Sequence, residues 1–268
     1  INDNTMYLMD MRKPKEERTL LKMNPSLSMK MVPVVDSEKI SKSILSAVGR
    51  TDTSMYIEWP SSFSSTGNHG IYFFEEDIYM LDVPNESYRR VTNTKSEEKA
   101  ARFSPDGKKI SFVRENDIYI YDIRTQKEKR ITFSGSETNL NGTVSWVYWE
   151  EIFGRKDLGY WWSDDSKAIA FLNTDESEVT KMHYVHWKPA ESELITQRYP
   201  KAGTKNPVVK LGIIELTSSK LKWVDLDPFE YLCRVKWLPG NKRLSVQTMN
   251  RAQDKLDLFF VDRATGKN

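Results

Sequence analysis

The feature of this sequence that most limits its fold is a short repeated unit. An aromatic residue, a tight turn, a basic residue and an alternating apolar strand follow one another in RFSPDGKKISF (102–112), WWSDDSKAIAF (161–171) and KWLPGNKRLSV (236–246). In the first copy Pro105 presets a backbone dihedral of the turn, and Gly107 can adopt the positive φ that such turns need. Each copy therefore predicts a β-hairpin.

The strands that follow the turns also repeat. DIYIYDI (117–123) alternates with period two, as a half-buried strand does, and EDIYMLDV (76–83) has the same pattern about forty residues earlier. NTMYLMDM (4–11) resembles this outer strand once more. Repeats of roughly forty to fifty residues, each with four short strands, are typical of β-propeller blades. We therefore predict an all-β fold, a partial β-propeller of about four to five four-stranded antiparallel blades.

The spacing of the aromatic residues that open the repeats indicates insertions. Phe103, Trp162 and Trp237 are separated by 59 and 75 residues, which is more than one blade needs. We place one insertion within 134–158, with a short helix that carries a pair of glutamates. We place the other within 180–207, where YPKAGTKNP suggests an irregular segment.

One further segment, 28–51, does not fit the repeat. Within it, SEKISKSILSAV (37–48) has apolar residues at helical spacing and Ser37 in a position to cap the N-terminus. We therefore predict a helix there, capped by Ser37.

Composition supports one domain and excludes several classes of protein. A length of 268 residues suits a single all-β domain, so we assign 1–268 to the propeller. The 40 basic and 38 acidic residues are spread along the chain, which argues against a dedicated nucleic-acid binder. No apolar run approaches the ~20 residues of a membrane span. Cys233 is the only cysteine, so no disulfide can form within the chain.

Glycine and histidine positions argue against several kinds of catalytic site. No two of the twelve glycines are four or two positions apart, so the chain has neither a Gly-x-Ser-x-Gly nucleophile elbow nor a dinucleotide-binding loop. Gly154 and Gly159 have the spacing of a phosphate-binding loop, but aromatic residues follow them. His183 and His186 would lie on opposite faces of a strand. We therefore predict no catalytic residue, no metal and no cofactor in this chain.

The strongest candidate for a binding site is VSWVYWEEIFGR (144–155), where Glu150 and Glu151 follow Tyr148 and Trp149. Two carboxylates can begin a short helix, because they favour the positive end of its dipole. They can also clamp an ammonium group through charge-assisted hydrogen bonds, with a bound cation relieving their mutual repulsion. Periodicity alone leaves both interpretations open.

A resemblance to a known family bears on this choice. Residues 146–179 resemble the propeller domain of the dipeptidyl peptidase IV family, the prolyl-oligopeptidase-like serine peptidases. In that family Trp-Val-Tyr, one variable residue and two glutamates form a short helix that protrudes from a blade. The resemblance continues through YPKAGTKNPVVKLGI (199–213) and residues 230–262, which include NRAQ.

The resemblance implies a role for the glutamates. Glu150 and Glu151 match the pair that anchors the free N-terminal amine of a peptide substrate, which restricts the enzyme to removing dipeptides, and Tyr148 and Trp149 would line the same site. A family arginine that helps to bind the substrate carbonyl has no counterpart near 65–81. His69 is the nearest polar candidate there.

The resemblance also implies that this chain is one part of an enzyme. The Ser, Asp and His triad of the family lies on an α/β-hydrolase domain that is absent here, so we expect the chain alone to be inactive. We expect it to come from a longer protein, with its own C-terminal hydrolase domain and a free-amine peptide as partners. A homodimer is left open, and family resemblance favours a periplasmic or extracellular location.

A propeller of this kind can also serve two other functions. The main alternative is a stand-alone propeller that binds peptides or scaffolds a protein complex without cleavage. Carbohydrate binding through exposed tryptophans is disfavoured, because Trp162, Trp223 and Trp237 occupy strand positions where they would pack between blades.

Overall fold

Antiparallel strands make up most of the regular structure in the computed structural model, which describes residues 4–49, 59–188 and 190–268. The helices are a 3-10 turn (Lys15–Glu17), α1 (Ser37–Val48) and a π-helical turn (Tyr148–Ile152). The first eleven strands are β1 (Met6–Leu8), β2 (Leu21–Asn24), β3 (Ser28–Pro33), β4 (Ser62–Phe63), β5 (His69–Phe74), β6 (Asp77–Asp82), β7 (Ser87–Arg90), β8 (Glu98–Phe103), β9 (Lys109–Arg114), β10 (Asp117–Asp122) and β11 (Lys127–Arg130). The remaining strands are β12 (Asn139–Asn141), β13 (Tyr160–Trp162), β14 (Ala168–Asp175), β15 (Lys181–His186), β16 (Glu193–Arg198), β17 (Val208–Glu215), β18 (Lys220–Trp223), β19 (Tyr231–Trp237), β20 (Arg243–Met249) and β21 (Leu256–Asp262).

The chain divides into two compact units. The first contains the described residues up to Phe112 together with Ile120–Glu128, and the second contains Val113–Tyr119 with Lys129–Asn268. The first unit has the three-stranded sheet β1-β2-β3, the helix α1 and the four-stranded sheet β4-β5-β6-β7. The sheet β8 to β11 contributes residues to both units.

The two four-stranded sheets contain the same buried polar network, repeated forty positions apart. In each, a buried aspartate at the start of the third strand accepts hydrogen bonds from an arginine at the end of the fourth. A threonine hydroxyl two residues beyond that arginine accepts from a backbone N–H of the third strand at 2.8 Å. The corresponding pairs are Asp77 and Asp117, Ile78 and Ile118, Arg90 and Arg130, and Thr92 and Thr132.

The second unit contains the larger, less regular sheets. β12, β14, β17 and β18 form one sheet in that order, with β13 also paired to β14, and β19-β20-β21 form another. The openers Phe103, Trp162 and Trp237 each end the strand before a tight turn. Each turn is closed by a backbone hydrogen bond of 2.9 Å, from Ser104 N to Lys109 O, from Ser163 N to Ala168 O, and from Leu238 N to Arg243 O. The three copies of the repeat are therefore structurally equivalent.

The fold class is confirmed: the chain is nearly all β, in antiparallel propeller-like sheets with a small helical insertion. In the insertion at 180–207, the segment YPKAGTKNP (199–207) is irregular, as predicted. The first part of the insertion, for which no strand was predicted, forms a hairpin in which β15 and β16 pair from Lys181↔Arg198 to His186↔Glu193. Pairs of side chains across the two strands stabilise such a hairpin.

The helix α1 is also as predicted, except for its cap. Asp36, not Ser37, is the N-cap residue: it has an extended backbone, and its carboxylate accepts from Lys39 N at 2.8 Å. The helix ends at Gly49, whose φ of 75° is left-handed. In the part of the chain that the structure describes, no helix is both long and apolar enough to cross a membrane.

Candidate functional site

The glutamate pair lies on a short helix in the second unit. Residues 146–152 are helical, and Phe153 N donates to Tyr148 O at 2.8 Å, the i to i+5 bond of a π-helix. We call residues 146–152 the glutamate helix. It ends at Ile152, because Gly154 and Arg155 have φ values of 58° and 62° and turn the backbone out of the helix. Isolated π-helical turns are frequent at functional sites.

Two hydrogen bonds with residues of strand β19 hold the glutamate helix in place. The Tyr148 ring is 1 % exposed, and its hydroxyl accepts a hydrogen bond from Leu232 N at 3.0 Å. Burial raises the pKa of Tyr148, so its hydroxyl stays protonated. At the other end of the helix, Arg234 Nη1 donates to Ile152 O at 2.9 Å. The backbone that carries the glutamates is thus attached to a core strand at two points.

The YPKAG segment holds the helix from the side. The rings of Trp146 and Tyr199 lie 4.5 Å apart between centroids. The same segment is tied to the NRAQ stretch, because Arg251 donates to Thr204 O and to Glu230 Oε1, each at 2.7 Å. Strand β19 and the YPKAG segment therefore contact the glutamate helix, and the NRAQ stretch contacts the chain next to the YPKAG segment.

The two glutamates have different surroundings. Arg155 binds Glu150 with both arms of its guanidinium, at 2.8 Å from Nη2 to Oε1 and 3.0 Å from Nε to Oε2, and this hydrogen bonding lowers the pKa of Glu150. The Arg155 backbone is held as well, since its N–H donates to Trp149 O at 2.7 Å. Glu151 is exposed and has no hydrogen-bond or ion-pair partner among the described residues. One carboxylate is therefore paired, and the other is open to solvent.

The remaining predicted site residues lie in different places. Tyr148 belongs to the buried core, so its ring supports the helix and does not face solvent. Trp149 is half-buried and packs against the same core. His69 lies in the first unit on β5, with Nε2 3.9 Å from Asp82 Oδ2, and burial lowers its pKa. Binding by the pair remains a prediction.

Sequence reasoning missed Arg155, which is the closest cation to the pair. The available signal was Gly154, because a glycine just after a helix commonly adopts the left-handed conformation that ends the helix. For metals, the described residues contain no group of three or more His, Cys, Asp or Glu that could hold an ion. His183 Nδ1 instead lies 2.9 Å from Thr196 Oγ1.

Comparison with known proteins identifies the family that this chain resembles. The sequence model of the family described as "Dipeptidyl peptidase IV (DPP IV) N-terminal region" matches residues 45–268. A probable dipeptidyl peptidase 4 of Emericella nidulans is 27% identical over 265 residues, which cover 94% of this chain and 33% of the relative. The dipeptidyl aminopeptidase B of Saccharomyces cerevisiae is 31% identical over 137 residues, 48% of this chain and 16% of the relative.

A solved structure gives the same result. The crystal structure of Porphyromonas gingivalis dipeptidyl peptidase 4 superposes with a TM-score of 0.79 at 25% identity, covering 96% of this chain and 37% of that one. This chain therefore spans about a third of the length of the relatives that it matches over most of its residues.

Proposed function

The chain belongs to the family of dipeptidyl peptidase IV N-terminal regions, and from this membership we propose that it selects substrates for a serine exopeptidase that removes dipeptides from peptide N-termini. In this proposal Glu150 and Glu151 anchor the free amine of the substrate. The main support is a pair of adjacent carboxylates on a helix held at both ends, with Glu151 open to solvent.

The charges around the pair suit an ammonium group. Glu150, Glu151 and Arg155 together carry one net negative charge, which a single ammonium would neutralise. An ammonium has three N–H donors, and ionised carboxylates accept them in short, charge-assisted bonds. Arg155 fixes the orientation of the Glu150 carboxylate, whereas an ammonium that binds Glu151 needs to displace only water. An N-terminus without its charge would lose this attraction.

Anchoring the amine also accounts for a dipeptide product. A peptide held by its first nitrogen has only one bond at a given distance from that anchor, so a nucleophile at a fixed place cleaves one particular bond. The nucleophile would lie outside this chain, which lacks a Gly-x-Ser-x-Gly elbow. A separate α/β-hydrolase domain in the remaining two thirds of the protein would supply it.

The proposal is tested by removing the open charge while keeping the shape. In the full-length protein we expect Glu151→Gln to lower kcat/KM for a free-amine dipeptide linked to a chromophore, because it weakens a charged hydrogen bond of about 1.5–3 kcal/mol, or roughly ten- to hundred-fold. Glu191→Gln is the matched control, since Glu191 is an exposed glutamate of the same unit that lies outside the glutamate helix.

The same substrate with an acetylated N-terminus provides the reciprocal test. It has no ammonium, so wild type and Glu151→Gln should cleave it equally slowly. If Glu151→Gln cleaves the free-amine substrate as well as the wild type does, the glutamates only begin a helix. A wild-type protein that binds the peptide but releases no product would instead favour the alternative of a non-catalytic peptide-binding scaffold.

A further inference from the structure

A cavity of about 560 Å³ lies beside the glutamate helix, within the second unit. Trp146 and Trp149, one helical turn apart, contribute to one side of it, and neither Glu150 nor Glu151 is among its lining residues. The charged residues of the lining are Asp157, Glu176 and Arg198, and Tyr184 is its third aromatic residue. The volume is within the range of small-molecule and side-chain pockets, about 300–1,000 Å³.

The cavity has a fixed aromatic wall. Trp146 is held by its ring contact with Tyr199, and Trp149 packs against the core. Across the hairpin, the Tyr184 hydroxyl donates to Gln197 Oε1 at 3.1 Å, which orients the third ring of the wall. Aromatic faces attract cations, and the attraction increases when the cation is partly desolvated.

One polar group in the lining lacks the hydrogen bonds that its burial calls for. The Glu176 side chain is 14 % exposed, and its closest ionic partner among the described residues is Arg198 Nε at 3.8 Å, which is beyond hydrogen-bond distance. Buried polar atoms are almost always hydrogen-bonded, so this carboxylate points to a ligand that donates hydrogen bonds.

The charges in the lining favour a cation over an anion. Arg198 is already engaged, because its Nη1 donates to the carbonyl oxygens of Glu176, Ser177 and Val179 at 3.1–3.3 Å. Asp157 is also in place, since its Oδ1 accepts from Val144 N at 2.9 Å. Two carboxylates against one guanidinium leave the lining with one net negative charge.

We propose that this cavity binds the guanidinium group of an arginine side chain on a peptide. A guanidinium is planar and weakly hydrated, so it suits an aromatic wall better than an ammonium does. Its N–H donors can supply the hydrogen bonds that the Glu176 carboxylate lacks. The site does not use the glutamate pair, so this proposal can be tested independently of the amine anchor proposed above.

The test uses Nα-acetyl-arginine amide as the probe, because its blocked amine cannot compete for the glutamate pair. Titrated calorimetrically into the full-length protein, it should bind at a ratio of one to one, about tenfold or more tighter than its neutral isostere Nα-acetyl-citrulline amide. Nα-acetyl-lysine amide should also bind at least threefold more weakly.

Variants locate the site. Glu176→Gln should weaken binding of the arginine probe about tenfold. Glu178→Gln is the matched control, because Glu178 is 68 % exposed and pairs with Lys205 outside the cavity. Glu151→Gln should leave the affinity unchanged, which separates this site from the amine anchor.

Four results would overturn the proposal: no saturable binding to the folded wild type, equal affinity for the arginine and citrulline probes, equal affinity for the arginine and lysine probes, or unchanged affinity in Glu176→Gln. If Glu176→Gln fails to fold, the affinities of the wild type for the arginine and citrulline probes decide the question.

Discussion

Replacing Tyr148 by Phe tests how the glutamate helix is held, because the change removes a single oxygen. The Tyr148 hydroxyl accepts from Leu232 N at 3.0 Å, and both residues are essentially buried. Phe has the same ring, so no large cavity forms, and the space left by the oxygen is too small to admit a water molecule. The Leu232 N–H is then buried without a partner, which costs about 1–3 kcal/mol.

The loss should be visible in thermal unfolding. For a chain of this size, 1 kcal/mol corresponds to a shift in Tm of about 2–4 °C. All the tryptophans except Trp59 lie in the second unit, so intrinsic fluorescence reports mainly on the unit that contains Tyr148. Tyr184→Phe is the control, because the Tyr184 hydroxyl also makes a hydrogen bond of similar length but is exposed to solvent.

We expect Tyr148→Phe to lower the Tm by several degrees and Tyr184→Phe to leave it within about one degree, since water replaces an exposed bond. Equal shifts in the two variants would refute the reasoning. They would mean that the bond to Leu232 contributes no more than a surface contact and that β19 does not hold the helix through Tyr148.

Two further predictions concern the blades. Gly135→Ala should destabilise the fold by about 3 kcal/mol, because a Cβ at Gly135 would lie 2.6 Å from Asp117 Oδ2. Gly240→Ala should cost only about 1 kcal/mol, because the space around Gly240 is open and only its positive φ disfavours Ala. Equal denaturation midpoints for the two variants would contradict this prediction. The Arg263 guanidinium lowers the pKa of Glu215, so the stabilisation is present above the ordinary carboxyl pKa of 4.5 and is lost as the pH falls through the folded-state value. Glu215→Gln should therefore have a lower Tm than the wild type at pH 7, and the two Tm values should approach each other in acid. A difference in Tm that stays constant from pH 7 to pH 3 would show that the Glu215–Arg263 pair is not the cause of the difference.

Local physics explains why so much of the fold was readable from the sequence. Period-two alternation places side chains on opposite faces of a strand, and the turn residues between strands restrict their own dihedrals. Both effects act within about ten residues, which is why the hairpins at 102–112 and 236–246 and the helix 37–48 are where the sequence predicts them. The cap of that helix was misplaced by one residue, because Asp36 and Ser37 are both good caps and the backbone conformation selects between them.

The hairpin β15 to β16 could not be predicted from local features of the sequence. Its strands pair over six residues each, but no strand was predicted there. Pairing between strands depends on which side chains face each other across the hairpin, and this cannot be inferred from composition.

For the candidate site, the sequence alone establishes the identity of the pair and its aromatic neighbours and predicts a short helix. The packing of the fold places Tyr148 in the core, pairs Arg155 with Glu150 and leaves Glu151 open to solvent. The reason is the range of the contacts. Leu232 and Arg234 hold the helix from 84 and 82 residues further along the chain. Such contacts form only when the sheets pack, so no spacing or period within the helix can encode them.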